Sequence, residues 1–430
     1  MVADPQIMKA VEQLGYRVTV GDVAAQAGLE VNLAQRGLLG LASEVNGNLQ
    51  VAESGEIAYV FPRNLRAILQ QKYLRLRLQA FWQKVWPILF YLIRISFGIV
   101  LLVSIALIFI AIAIILIAAT SAKGGNSDSD RDNSGFGFGP SIWYFPDFSW
   151  FFYSDPYRRR SSRTESDSDG MNFLEGIFSF LFGDGNPNAD LINRRWRTIS
   201  ATILNQKGAV TGEQIAPYLD VGEDSDRDEN YMLPVLVKFD GRPEVSPTGE
   251  IIYQFPALQA TATERERRSV PAYLKEYLWQ FSRAKSWQIM LAIGLGSLNL
   301  IGALVLWSLL ASGSAAAQLG GLVAFVQSIF WLLLAYGIGF LAIPLLRYYW
   351  ILWRNAKIET RNQQRQQSAE VLLAADDRLE QKLAYARQFA AEQFISAQDL
   401  AYTTEKDLLE QESEQTDKID AEWRRRLEQR

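Results

Sequence analysis

At 430 residues the chain is long enough for two or three domains with cores of their own. A formal net charge of −4 gives no global electrostatic case for nucleic acid or an acidic substrate. There is no Cys and no His, so disulfides, thiolate nucleophiles, Cys-ligated iron–sulfur clusters, Cys/His zinc sites and a His general base are excluded.

From the start of the chain, Ile7, Met8, Val11 and Leu14 recur at helical spacing and predict a short helix over 5–15. Thr19, with Asp22 three residues on, is an N-cap signature for a second helix that stops at Gly28. A third helix is expected over 32–45. Asn46-Gly47 then turns the chain into a hairpin over 49–61, flanking Ser54-Gly55. Three helices followed by a hairpin is the order of a winged helix.

The chain repeats this stretch. Ser54-Gly55-Glu56-Ile57-Ala58-Tyr59-Val60-Phe61-Pro62 returns as Thr248-Gly249-Glu250-Ile251-Ile252-Tyr253-Gln254-Phe255-Pro256. Upstream, Val18-Thr19 returns as Val210-Thr211. Downstream, Tyr73-Leu74, Leu78 and Phe81 return as Tyr273-Leu274, Leu278 and Phe281. The first module holds three basic residues (Lys9, Arg17, Arg36) against seven acidic ones. The second holds seven against ten between Arg194 and Pro256. A DNA reader needs cations to displace phosphate counterions, so nucleic acid is not the expected partner. The acidic wing turns instead favour protein contact, with Glu56, Tyr59, Glu250 and Tyr253 as the candidate residues.

Basic residues from Arg63 to Lys84 precede an uncharged run from Ile95 to Ala122, which exceeds the roughly 20 residues needed to span a bilayer. They predict a cytoplasmic first module. The apolar stretch 85–119 is about 52 Å long as one helix. It accommodates either a lead-in helix to about Arg94 followed by one tilted span, or a tight hairpin broken near Ser96-Phe97-Gly98. Two modules on one side of the membrane require an even number of crossings, which favours the hairpin. Arg94 is expected to snorkel to the interface.

Residues 123–170 are Gly-, Ser- and Asp-rich at both ends and read as disordered there. Between the ends lies an aromatic patch with Trp143, Tyr144, Phe145, Trp150, Phe151 and Phe152, expected to contact the membrane interface or a partner. Asp224, Asp226 and Asp228 begin like a calcium loop but lack its glycine and its final Glu, so no metal or cofactor is expected.

The run Phe173-Leu174-Glu175-Gly176-Ile177-Phe178-Ser179-Phe180-Leu181-Phe182-Gly183-Asp184-Gly185-Asn186-Pro187-Asn188 follows, then Arg195-Trp196 and Ala216-Pro217-Tyr218-Leu219-Asp220. It resembles a membrane protein family of cyanobacteria and plant plastids that is sometimes labelled "iron–sulfur cluster biosynthesis". The resemblance implies a photosynthetic membrane, thylakoid or plasma membrane, and supplies no catalytic residues.

Trp287 to Ala311 and Leu319 to Leu346 form two further uncharged runs and predict a helical hairpin. In it, Gly294, Gly296, Ser297 and Gly302 would permit close helix packing. The remainder is rich in helix formers, with a 3–4 spacing that fits a helical or coiled-coil tail.

The expected fold is an α-helical membrane protein with two winged-helix-like α+β modules and a long helical tail. Its parts are module 1 (1–62), a lead-in helix and first transmembrane region (63–122), a linker (123–170), module 2 with its preceding segment (171–256), a second lead-in helix (257–286), a transmembrane hairpin (287–346) and the tail (347–430). No catalytic constellation is present. The expected function is a non-enzymatic membrane scaffold or assembly factor that binds proteins, self-association included. The alternatives are a membrane-tethered DNA-binding regulator and a channel or lipid-handling protein.

Overall fold

The computed structural model describes residues 4–72, 74–123, 171–221, 229–262, 267–311, 320–396 and 400–413, with isolated positions beyond. The aromatic patch from Trp143 to Phe152, including Tyr144, Phe145, Trp150 and Phe151, lies outside the described residues, as do Asp224, Asp226 and Asp228. The chain is mostly helical and forms two compact units. The first comprises Met1–Ala80, Pro187–Leu278 and Lys357–Arg430, the second Phe81–Asn186 and Trp279–Ala356.

The first unit begins with α1 (Pro5–Gln13), β1 (Arg17–Thr19), α2 (Val20–Ala27), α3 (Val31–Val45), β2 (Asn48–Ala52), β3 (Ile57–Val60) and α4 (Leu65–Lys72). The Thr19 cap is a reciprocal box: the Thr19 N–H donates to Asp22 Oδ2 and the Asp22 N–H to Thr19 Oγ1, each at 3.1 Å. The long helix α5 (Leu74–Lys123) and the short α6 (Phe173–Phe182) follow. The second copy then consists of α7 (Leu191–Asn205), β4 (Ala209–Thr211), α8 (Gly212–Ile215), α9 (Leu233–Phe239), β5 (Arg242–Val245) and β6 (Ile251–Gln254). Pro217 lacks an N–H donor, and α8 passes into a single 3₁₀ turn, Ala216–Tyr218.

The two copies share strand order. Antiparallel pairing gives β1-β3-β2 in one and β4-β6-β5 in the other. Their hairpins turn at Gly55 (φ 87°) and Gly249 (φ 85°), a left-handed geometry that disfavours any side chain. The Phe61 N–H donates to Tyr16 O at 2.8 Å, and the Phe255 N–H to Gly208 O at 2.7 Å, closing each module at the same place. The modules are not beads on a string. One continuous core joins Val11, Leu38 and Tyr59 to Ile199, Phe239 and Phe255.

The remaining elements are β7 (Ala260–Thr261), α10 (Ser286–Ala311), α11 (Leu322–Ser328), α12 (Phe330–Leu373), α13 (Asp377–Gln388), β8 (Gln393–Phe394) and β9 (Leu400–Thr403). The expected coiled-coil tail is corrected here. The helix stops at Leu373, Asp376 caps α13 by accepting from the Leu379 N–H at 2.8 Å, and the chain then turns to strand. β9 pairs antiparallel with β2, setting Gln50 against Thr403 and Val51 against Tyr402, while β8 pairs in parallel with β7. The tail therefore completes the first unit's sheets.

The lead-in helix expected over 257–286 is also corrected. Residues 267–285 have no regular structure. In the first unit, Asn362 and Asn188 each read both backbone groups of one residue. Asn362 accepts from the Glu276 N–H at 2.8 Å and donates to Glu276 O at 2.9 Å. Asn188 does the same to Tyr277, at 2.8 and 2.7 Å. Side-chain amides thus satisfy donors and acceptors that a helix would have paired internally.

Among the described residues, three helices are long and apolar enough to cross a membrane: Phe81–Ser121 within α5, Ser286–Ala311 and Phe330–Leu373. The hairpin expected near Ser96-Phe97-Gly98 is not formed, because α5 runs unbroken through all three residues. Gly98 has another use there: a Cβ at this position would lie 3.2 Å from the Leu174 Cα, so its absence lets α6 press on α5. Gly296 faces the Phe340 ring and Gly302 faces Ile108, as helix packing requires, whereas Gly294 faces open space. Buried Ser104 donates to Asn299 Oδ1 at 2.8 Å, tying α5 to α10.

Candidate functional site

The four wing residues separate on inspection. Tyr59 and Tyr253 are buried in the shared core, so neither presents a surface. Burial raises the Tyr59 hydroxyl pKa. Burial also raises that of Tyr253, reinforced by Glu229, whose Oε2 accepts from it at 2.7 Å. Glu250 forms an ion pair with Arg378 of α13. Glu56 remains half-exposed, and burial raises its carboxyl pKa.

Two buried cations of the tail organise the first unit. Lys382 on α13 is 2% exposed, and its ammonium donates to Glu213 Oε1 at 2.7 Å and Glu229 Oε1 at 2.6 Å. Burial alone would lower its pKa, but the two carboxylates outweigh burial and raise it. Arg365 on α12 is also 2% exposed. It donates to Glu276 Oε1 at 2.8 Å, to Leu274 O at 2.8 Å and through two nitrogens to Asp220. Arg361 adds a two-pronged pair to Glu276, at 2.8 and 2.6 Å, and Arg195 donates to Asp220 at 2.6 Å. Burial pushes Asp220 and Glu276 upward, but their arginines outweigh it and hold both below the usual carboxylate range.

A depressed carboxylate stabilises the fold above its unfolded pKa of about 4, and that contribution vanishes as pH falls through the folded value. The first unit is therefore expected to lose melting temperature progressively below about pH 4. Glu276 carries more of the effect than half-exposed Asp220. Thermal melts followed by tryptophan fluorescence between pH 2.5 and 6 measure this; Glu276→Gln should flatten the profile.

Lys382 and Arg365 belong to no motif in the sequence, yet a signal exists. Lys382 lies on the stripe Leu379–Lys382–Ala386 of α13, and Arg365 on the stripe Ile358–Asn362–Arg365–Ala369 of α12, all buried. A single charge on a stripe otherwise free of charge marks a buried pair.

In the second unit the expectation for Arg94 is corrected. It does not simply snorkel, since its guanidinium donates to Asp184 Oδ1 at 3.1 Å and lies 5.6 Å from the Phe178 ring centre. Asp184 Oδ2 also accepts from Ser179 Oγ at 2.7 Å and from the Arg283 N–H at 2.8 Å. Arg347 from α12 caps the end of α6, donating to Ser179 O, Phe180 O and Phe281 O. The stretch from Phe173 to Asp184 is thus a short buried helix held by two arginines, and Asp184 locks it.

A protein of Arabidopsis thaliana, "Uncharacterized protein At5g03900, chloroplastic", is 39% identical over 437 aligned positions, covering 98% of this chain and 82% of the plant protein. The chain belongs to that protein's family. No family model matches the chain, and no solved structure matches it. The relative and the three apolar helices are compatible with a plastid membrane location.

Proposed function

We propose that the chain is a non-enzymatic integral membrane scaffold or assembly factor that binds proteins at a photosynthetic membrane through two winged-helix modules. The order helix, strand, helix, helix, hairpin, with the first strand beside the last, supports the winged-helix assignment in both copies. The observation that carries the function is on α9, which occupies the position of a recognition helix. There Leu233 is 56% and Val237 71% exposed, one turn apart, and the adjoining hairpin exposes Val245. In the first copy α3 likewise exposes Leu33 and Leu39. An apolar recognition face suits a protein surface and is wrong for phosphates. The chloroplastic relative supports the membrane system proposed.

In-membrane crosslinking of the full-length protein, read by mass spectrometry, tests this. Wild type should crosslink through module 2 to other membrane proteins. Leu233→Glu with Val237→Glu should abolish most of those crosslinks while leaving the melting temperature intact, because both side chains already face solvent. Unchanged crosslinks in the double variant would defeat the proposal.

A further inference from the structure

One groove of the first unit carries charge that protein scaffolding does not use. Its volume is about 430 Å³, within the range of small-ligand sites. One wall is a face of α7, where Arg194, Arg197 and Thr198 recur at helical spacing. The other is the irregular segment that adds Arg268, Lys275 and Tyr277. Among the described residues, four cations and no carboxylate line it.

Arg194 is set in place before any ligand arrives. Its Nε donates to Asp190 at 3.1 Å, its Nη1 to Lys275 O at 3.3 Å, and its guanidinium lies 4.6 Å from the Tyr277 ring centre. Arg197 and Lys275 are exposed and can reach inward. Asp190 offsets Arg194, whose Nη2 also donates to Asn188 Oδ1 at 3.4 Å, yet the groove keeps an excess of positive charge that concentrates anions, and the fork of the exposed Arg197 guanidinium matches two phosphate oxygens. In sequence this wall directly precedes the apolar helix at Ser286–Ala311, where basic residues draw anionic lipid. The geometry points to this groove as a binding site for a phosphate ester, carried by an anionic lipid headgroup or by a soluble small molecule.

The test uses full-length protein in detergent. Native mass spectrometry measures retention of dioleoylphosphatidylglycerol against dioleoylphosphatidylcholine. A lipid-free arm measures the melting shift given by glycerol 3-phosphate. Wild type should retain the anionic lipid roughly tenfold better, and Arg197→Gln with Lys275→Gln should erase the preference. These glutamines replace exposed side chains; Arg36→Gln, outside the groove, controls for loss of charge alone. A melting shift by glycerol 3-phosphate in wild type, absent in the double variant, would assign the site to a soluble ester. Equal behaviour of wild type and double variant in both arms overturns the site.

Discussion

Arg365→Met is expected to lower the stability of the first unit by about 3–5 kcal/mol, the cost of removing one partner from a buried ion pair. In a unit of this size the melting temperature should fall by about 6–20 °C. Arg365 is 2% exposed and its partner Glu276 5%. Without the guanidinium, Glu276 keeps only the half-exposed Arg361, Leu274 O loses a donor, and Asp220 keeps only Arg195. Methionine fills similar volume, so the loss is electrostatic rather than a cavity. Arg365→Lys should fall between the two, since an ammonium keeps the charge but cannot reach Asp220, Glu276 and Leu274 O in one plane. A loss under 1 kcal/mol in the methionine variant would show that the network is merely tolerated.

Lys382→Met should cost a similar amount by a different route. Two carboxylates, Glu213 and Glu229, now converge on one ammonium, and methionine would leave them facing each other. Repulsion should lift α13 away from β4 and β6, making the tail beyond Asp376 sensitive to limited proteolysis. Adding Glu213→Gln and Glu229→Gln to the methionine variant removes the uncompensated charges and should recover most of the loss. Cleavage unchanged from wild type in the single variant would mean the tail is held without this lysine.

Which parts of the fold were legible follows from the range over which each is encoded. The Thr19 box, the Gly28 stop and the two glycine turns at Gly55 and Gly249 are local, and each sits where its spacing put it. The repeat beyond the modules misled. Leu274, Leu278 and Phe281 copy Leu74, Leu78 and Phe81, which are helical in α5, but in the second copy the backbone is claimed by Asn188 and Asn362, both far away in sequence. Arg94 misled for the same reason: its partner Asp184 is 90 residues distant. Among the candidate contacts, Tyr59 lies between Ala58 and Val60 and Tyr253 follows Ile252, so neither strand has the polar–apolar alternation that would say which face meets the core, and both tyrosines are buried with the residue before them.

The pairing of β9 with β2 has a consequence in time. Gln50 meets Thr403 across some 350 residues of intervening chain. At ribosomal rates of about 5–20 residues per second, β2 waits about 20–70 s for its neighbour. During that interval an open strand edge is presented, a template for mispairing. The three apolar helices among the described residues are synthesised before β9. The first module's sheet therefore closes last, after the hydrophobic segments have left the ribosome, and a chain truncated before Leu400 would carry that open edge permanently.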